Sequence, residues 1–179
     1  TSGIGKATAE IFAKQGHRLI ICGRRKEVLD NLQIQLSNFT DVYSLVFDVR
    51  NQQEVQNAIN SLPEEWKNID VLVNNAGNAH GLEPISDANI SDWDAMMDGN
   101  VKGLLYVSQP IIKLMKANNS GHIVNISSVA ARQTYANGTV YCASKKAVDV
   151  ISEGMRLELT EFGIKVTNIQ PGAVETDFS

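Results

Sequence analysis

An α/β fold built on a parallel sheet with helices on both faces is what this sequence predicts, and three observations predict it. Short apolar runs alternate with longer runs of helical periodicity from one end of the chain to the other. The short runs, such as Leu19-Ile20-Ile21 and Val71-Leu72-Val73, lack the period-two alternation of a half-solvated strand, so both sheet faces are expected to be covered. A glycine-rich stretch, Thr1-Ser2-Gly3-Ile4-Gly5, runs straight into a helical segment, as open α/β sheets do where they present backbone to a ligand.

Each element has its own justification. Residues 6–15 have helical propensity and stop at Gly16, a C′ residue. Residues 18–22 form a buried strand ending in Gly23-Arg24-Arg25. A helix carrying Val28, Leu29, Leu32 and Leu36 follows, then a strand over 42–47. After Asp48-Val49, Asn51 caps a helix reaching Leu62. Val71-Leu72-Val73 is the next strand, interrupted by Asn74-Asn75-Ala76-Gly77. Ser91, with Asp94 three residues on, resembles a capping box and starts a long helix to about Asn118. Pro110 bends that helix without ending it, because Val107, Ile111, Leu114 and Met115 keep the apolar period. A strand over 122–126, a helix over 140–162 and a strand over 165–169 precede Pro171-Gly172. No repeat, low-complexity tract or linker divides the chain, so residues 1–179 read as a single domain. A glycine turn in such a fold normally follows a strand, yet Thr1 already stands within the turn, and Ser179 follows closely on a strand. We therefore expect the chain to be incomplete at both ends, with residues before Thr1 in the folded molecule, and two interior strand edges exposed without them.

Composition excludes several functions. The chain is 43% hydrophobic and 20% charged, with a net charge of −4, which argues against a nucleic-acid surface. The largest basic cluster is Arg24-Arg25-Lys26. No apolar run has the length of a membrane span, and no signal peptide opens the chain. Cys22 and Cys142 lack metal-type spacing, and His17, His80 and His122 lie far apart, so no metal site is expected and a reducing, cytoplasmic setting is.

The chemistry concentrates in Tyr141-Cys142-Ala143-Ser144-Lys145, in the first turns of a helix. Positions i and i+4 share a helix face, so the Tyr141 phenol and Lys145 ammonium point the same way. A cation beside a phenol favours the phenolate, and such a phenol trades protons with a substrate hydroxyl or carbonyl. By itself the pair also occurs by chance. Gly3-x-Gly5 offers backbone N–H groups to a pyrophosphate, or is an ordinary turn. Arg24 and Arg25 stand about 20 residues further on, where a dinucleotide fold reads the ribose 2′ position. Arginine there pairs with a 2′-phosphate, the alternative being two solvated cations. Asp48 is either an acceptor for the adenine amino group or a polar strand end. The small residues after Asn74 admit a flat ligand or simply turn the chain. Asn100, within Asn100-Val101-Lys102-Gly103, lowers helix stability and marks either a distortion aimed into a site or surface tolerance.

In this order, Thr-Ser-Gly-Ile-Gly, Asn-Asn-Ala-Gly, Asn100-x-x-Gly103, Ser128 thirteen residues before Tyr141, Tyr-x-x-x-Lys and Pro171-Gly172 resemble the short-chain dehydrogenase/reductase family along the whole chain. The resemblance implies a Rossmann-type doubly wound parallel sheet without its first strand and C-terminal elements. It implies Tyr141 as general acid/base, Ser128, ahead of Ser127, as a hydrogen-bond partner of the same substrate oxygen, and Lys145 on the nicotinamide ribose, lowering the Tyr141 pKa. Asn100 would organise a water in a proton relay to Lys145. Ser2, Gly3, Ile4 and Gly5 would meet the pyrophosphate. Asp48, Val49 and Asn75 would line the adenine side, and Ala76 and Gly77 would also contact the cofactor. Pro171, Gly172, Val174 and Thr176 would flank the nicotinamide. Gly23-Arg24-Arg25, Asp48-Val49-Arg50 and residues 62–70 further resemble NADP-dependent dehydrogenases of 3-hydroxy acids such as serine or allo-threonine. The implied partners are NADP and a small hydroxy acid or carbonyl substrate, with neither nucleic acid nor membrane, in a cytoplasmic homotetramer or dimer. Apolar residues of helices 92–118 and 140–162 serve either core or subunit interface. A 3-oxoacyl or other carbonyl reductase, or a silent NADP-binding sensor, is the alternative.

Overall fold

The structure, a computed structural model, describes residues 1–81 and 83–175. Among them lie strands β1 (Leu19–Gly23), β2 (Val42–Val46), β3 (Val71–Asn74), β4 (Gly121–Ile126) and β5 (Ile164–Ile169). The helices are α1 (Gly3–Lys14), α2 (Lys26–Leu36), α3 (Gln52–Asn60), α4 (Ile90–Met97), α5 (Gly103–Asn118) and α6 (Thr139–Leu159). All pairings are parallel, with Leu19 opposite Val42, Val71 opposite His122 and Gly121 opposite Ile164. Parallel neighbours require long crossovers, which α2, α4–α5 and α6 supply.

The strands form two sheets, β1–β2 and β3–β4–β5. Among the described residues no strand hydrogen-bonds the outer edge of β1 or of β3, and residues of both border the same cleft. The parallel, doubly covered architecture agrees with the sequence pattern, and the continuous sheet is in two parts.

The long helix expected from Ser91 differs in two respects. Its cap is Asn89, whose Oδ1 accepts from the Ser91 N–H at 3.0 Å and the Ser91 hydroxyl at 2.9 Å. Asn and Ser cap equally well, so residue type alone did not choose between them. The helix then widens into a five-residue π turn, Asp98–Lys102, before resuming as α5, which contains Pro110. Asn51 caps α3 as expected, accepting from the Gln53 and Glu54 N–H groups.

A large apolar cluster joins β2 to β5 with α3, α5 and α6. Leu45, Val55, Leu104, Met115, Ile123 and Val148 lie within it. A smaller one, Ala13, Ile21, Leu29, Leu32 and Leu36, holds α1, β1 and α2 together. A full burial is worth about 1.5–3 kcal/mol per large side chain, so the larger cluster dominates stability. Buried amides lock its register. Asn74 Nδ2 donates to Asn125 Oδ1 at 2.8 Å and Ser108 Oγ at 2.9 Å, and Asn125 Nδ2 donates to Ser152 Oγ at 2.9 Å. Each amide crosses between elements, so β3, β4, α5 and α6 cannot slide without stranding a buried polar group.

Candidate active site

The cleft between the edges of β1 and β3 has a volume of about 2020 Å³. Its walls gather residues from every motif found in the sequence. Ser2 to Gly5, Arg24, Arg25, Asp48, Val49 and Asn75 to Gly77 lie along it, as do Ser128, Tyr141, Lys145, Pro171, Gly172 and Val174. Asn100 stands behind the wall, and Thr176 lies outside the described residues.

At one end, the first turns of α6 carry Tyr141 and Lys145, with Lys145 Nζ 5.9 Å from the centre of the Tyr141 ring. Nζ donates to the Ile126 carbonyl at 3.0 Å, fastening α6 to the end of β4. Lys145 is only 5% exposed, and this burial pushes its ammonium from 10.5 down to about 8. Ser128 follows β4 in extended conformation, and its Oγ accepts the Ala130 N–H at 3.1 Å, leaving its own hydrogen to donate. The neighbouring Ser127 hydroxyl is occupied elsewhere, 2.7 Å from Asp149 Oδ1 and 3.0 Å from the Lys145 carbonyl.

Asn100 sits in the π turn with 2% exposure. Its Oδ1 accepts the Asn78 N–H at 2.7 Å, while Nδ2 donates to the Asn78 carbonyl at 2.9 Å and Ser144 Oγ at 3.0 Å. This amide bolts the segment after β3 to α6. Gly77 runs through the gap, where a Cβ would stand 2.9 Å from Asn100 Oδ1 and 3.5 Å from Lys145 Nζ. Only glycine fits without displacing the amide.

At the other end, the N-terminus of the twelve-residue α1 meets the segment after β3. A Cβ on Gly5 would lie 2.5 Å from Asn75 Nδ2, so the two loops approach as closely as glycine allows. Arg24 Nη1 lies 3.6 Å from Asp48 Oδ2, and Arg50 grips the same carboxylate with Nη2 and Nε at 2.6 and 3.0 Å. Burial alone would raise the Asp48 carboxyl. The hydrogen bonds and charge of Arg50, with the charge of Arg24, outweigh it and hold the group below its ordinary range. A glycine cradle at a helix start, small residues opposite it and arginines at the end of β1 fit a dinucleotide carrying an extra phosphate.

Three site residues escaped the sequence reading: Asn78 and Ser144, which hold Asn100, and Asp149. Asp149 had a signal, since Tyr141, Lys145 and Asp149 recur every fourth residue on one face of α6.

Fold and site together define a Rossmann-type oxidoreductase with a tyrosine and lysine on one helix at the mouth of a dinucleotide cleft. The chain belongs to the short chain dehydrogenase family, which it matches over residues 1–179. It is 43% identical to the NADP-dependent 3-hydroxy acid dehydrogenase YdfG of Escherichia coli (strain K12), over all of this chain and 72% of that one. It is 40% identical to sulfoacetaldehyde reductase 2 of Chromohalobacter salexigens, again over the whole chain and 71% of the relative. Among solved structures, the closed form of serine dehydrogenase complexed with NADP+ superimposes with a TM-score of 0.93. That match is 42% identical and covers 99% of this chain and 71% of that one.

Proposed function

We propose that this protein is an NADP-dependent dehydrogenase of small 3-hydroxy acids, with serine the first compound to try. The observation that carries the reading is the convergence of Ser128, Tyr141 and Lys145 on one wall of a cleft whose other end holds Arg24 and Arg25. Similarity to the 3-hydroxy acid dehydrogenase of Escherichia coli and to the serine dehydrogenase structure supports the substrate class.

Ser2, Gly3, Ile4 and Gly5 would hold the pyrophosphate, and Arg24 and Arg25 the 2′-phosphate. Asp48, Val49 and Asn75 would hold the adenine side; Ala76, Gly77, Pro171, Gly172 and Val174 would lie toward the nicotinamide, and Thr176 completes that assignment. When bound, the nicotinamide supplies the hydride acceptor for oxidation or the donor for reduction. Tyr141 takes the substrate hydroxyl proton on oxidation and returns it on reduction. Ser128 donates its free hydrogen to the same oxygen and so fixes the reacting carbon. Lys145 lies next along the proton path. Because its value is about 8, it gives up and regains a proton close to neutral pH, as a relay requires. Asn100, rigid in the π turn, keeps the backbone of Gly77 and Asn78 against Lys145 and orders the water that continues the path.

The test follows reduced-nicotinamide absorbance with NADP and a panel of serine, allo-threonine and 3-hydroxypropionate. We expect turnover on at least one of them, and a loss of about 100-fold or more in Tyr141→Phe. No activity on any of them removes the substrate class, and full activity in Tyr141→Phe removes the mechanism.

We also propose a cytoplasmic homotetramer or dimer. The free thiols of Cys22 and Cys142 support a reducing compartment. Leu105, Val150 and Leu157, with 41%, 60% and 79% exposure on α5 and α6, support a subunit interface. Light scattering at micromolar concentration distinguishes these assemblies from a monomer.

A further inference from the structure

We propose that Asp149 is a positioning residue that holds Ser128 and the Pro171-Gly172 loop in place against Lys145. The proposal rests on the dehydrogenase reading for its kinetic consequences only.

Asp149 lies one turn beyond Lys145 on α6, and its carboxylate gathers donors from two other elements. Oδ1 accepts from Ser127 Oγ at 2.7 Å and from Asn168 Nδ2 at 2.7 Å, and Oδ2 accepts from Gln170 Nε2 at 2.8 Å. Lys146 Nζ stands 4.0 Å away. Ser127 immediately precedes Ser128, Asn168 lies in β5, and Gln170 immediately precedes Pro171. Two backbone bonds close the same junction: the Ser127 N–H to the Ile169 carbonyl at 2.7 Å, and the Val129 N–H to the Pro171 carbonyl at 3.0 Å.

A carboxylate suits this junction because it only accepts and has about four lone-pair sites, whereas an amide oxygen has about two. Asn168 turns its Nδ2 to Asp149, which leaves its Oδ1 buried without a partner among the described residues. Both serines line the cleft, but the Ser127 hydroxyl is engaged by Asp149, whereas Ser128 keeps its hydrogen to donate. Without Asp149, Asn168 and Gln170 would lose their acceptor, the Ser127 hydroxyl would be left with the Lys145 carbonyl alone, and the two loops flanking the reacting groups would lose their common anchor.

The experiment compares wild type, Asp149→Asn and Asp149→Ala by backbone hydrogen exchange and by kinetics with serine and NADP. In Asp149→Ala, the Ser127 and Val129 amides should exchange at least about 10-fold faster, a change in opening equilibrium of about 1.4 kcal/mol, while α3 amides keep their protection. Misplacement of a reacting group by about 1 Å costs on the order of 100-fold, so kcat should fall by about 10- to 100-fold. KM for serine should stay within about threefold, since the binding surface is retained. Asp149→Asn, which keeps an acceptor for Ser127, should fall between the two. Unchanged exchange at Ser127 and Val129, or unchanged kcat in the folded Ala variant, overturns the proposal. If Asp149→Ala does not fold, Gln170→Leu removes a single donor, and an unchanged kcat and Val129 exchange there overturn it equally. If wild type turns over none of the hydroxy acids, the dehydrogenase reading fails while the exchange measurement still decides the anchor.

Discussion

Lys145 illustrates how a residue can serve chemistry against stability. Its fall from 10.5 to about 8 corresponds to about 3 kcal/mol against the charged form at neutral pH. The unfolded chain binds more protons than the folded one between pH 8 and 10.5, so stability rises with pH across that window, and below it the cost is fully present. Lys145→Met should therefore stabilise the protein at pH 7, by up to about 3 kcal/mol, while turnover falls at least about 100-fold. Urea unfolding at pH 7 and pH 10 checks this, because the advantage should shrink at the higher pH. Asp149 has the opposite sign. Burial would raise its carboxyl, but Ser127, Asn168, Gln170 and Lys146 together hold it below the ordinary 3.8. Its contribution is present above that pH and is lost as pH falls through the lowered value, so wild type and Asp149→Asn should differ at pH 7 and draw together in urea midpoints as pH falls below 3.8. Arg24 and Arg25 carry a third prediction. A charge-assisted hydrogen bond to a 2′-phosphate is worth about 1.5–3 kcal/mol, or about 10- to 100-fold in affinity. The double substitution to alanine should remove that much NADP preference, measured by titration of the free protein with NADP and NAD.

Helices and strands were more legible than their joints. The alternation of apolar runs and helical segments located each strand because period and length are local properties. The π turn announced itself through Asn100 and Gly103, two poor helix formers close together. Asn89 and the partners of Asp149 were not legible in that way. Asn89 competes with Ser91 for one role, and the three donors to Asp149 are separated from it by 19 to 22 residues. Two glycines test what the elements tolerate. Apart from its own stretch of α6, no described residue comes within 4 Å of the position a Cβ on Gly154 would take, so Gly154→Ala should add about 0.8–1 kcal/mol of helix propensity. Gly103 opens α5, where a Cβ would come 2.8 Å from Val49 Cγ2 and 3.2 Å from the Val49 carbonyl. Overpacking costs about 1–3 kcal/mol, which exceeds the propensity gain, so Gly103→Ala should destabilise. Thermal midpoints of the two variants should move in opposite directions.

At the scale of the whole molecule, the edges of two sheets meet across the cleft with no strand pairing between them among the described residues, and the two sides are unequally supported. The larger cluster extends from β2 to β5, whereas α1, β1 and α2 share a cluster of five buried side chains. Local opening follows buried apolar contact, so amides of residues 3–23 should exchange well before those of β4. A ligand stretched from Arg24 to Lys145 touches the weaker unit and the stronger one at once, and so acts as a clasp as well as a reactant. At about 100 times its dissociation constant it would add about 2.7 kcal/mol to the folded state. The slowing of exchange should be greatest in α1 and β1. The supply of nucleotide would then set how long the protein survives proteolysis, and exhausting the NADP around it would cost the protein itself as well as its activity.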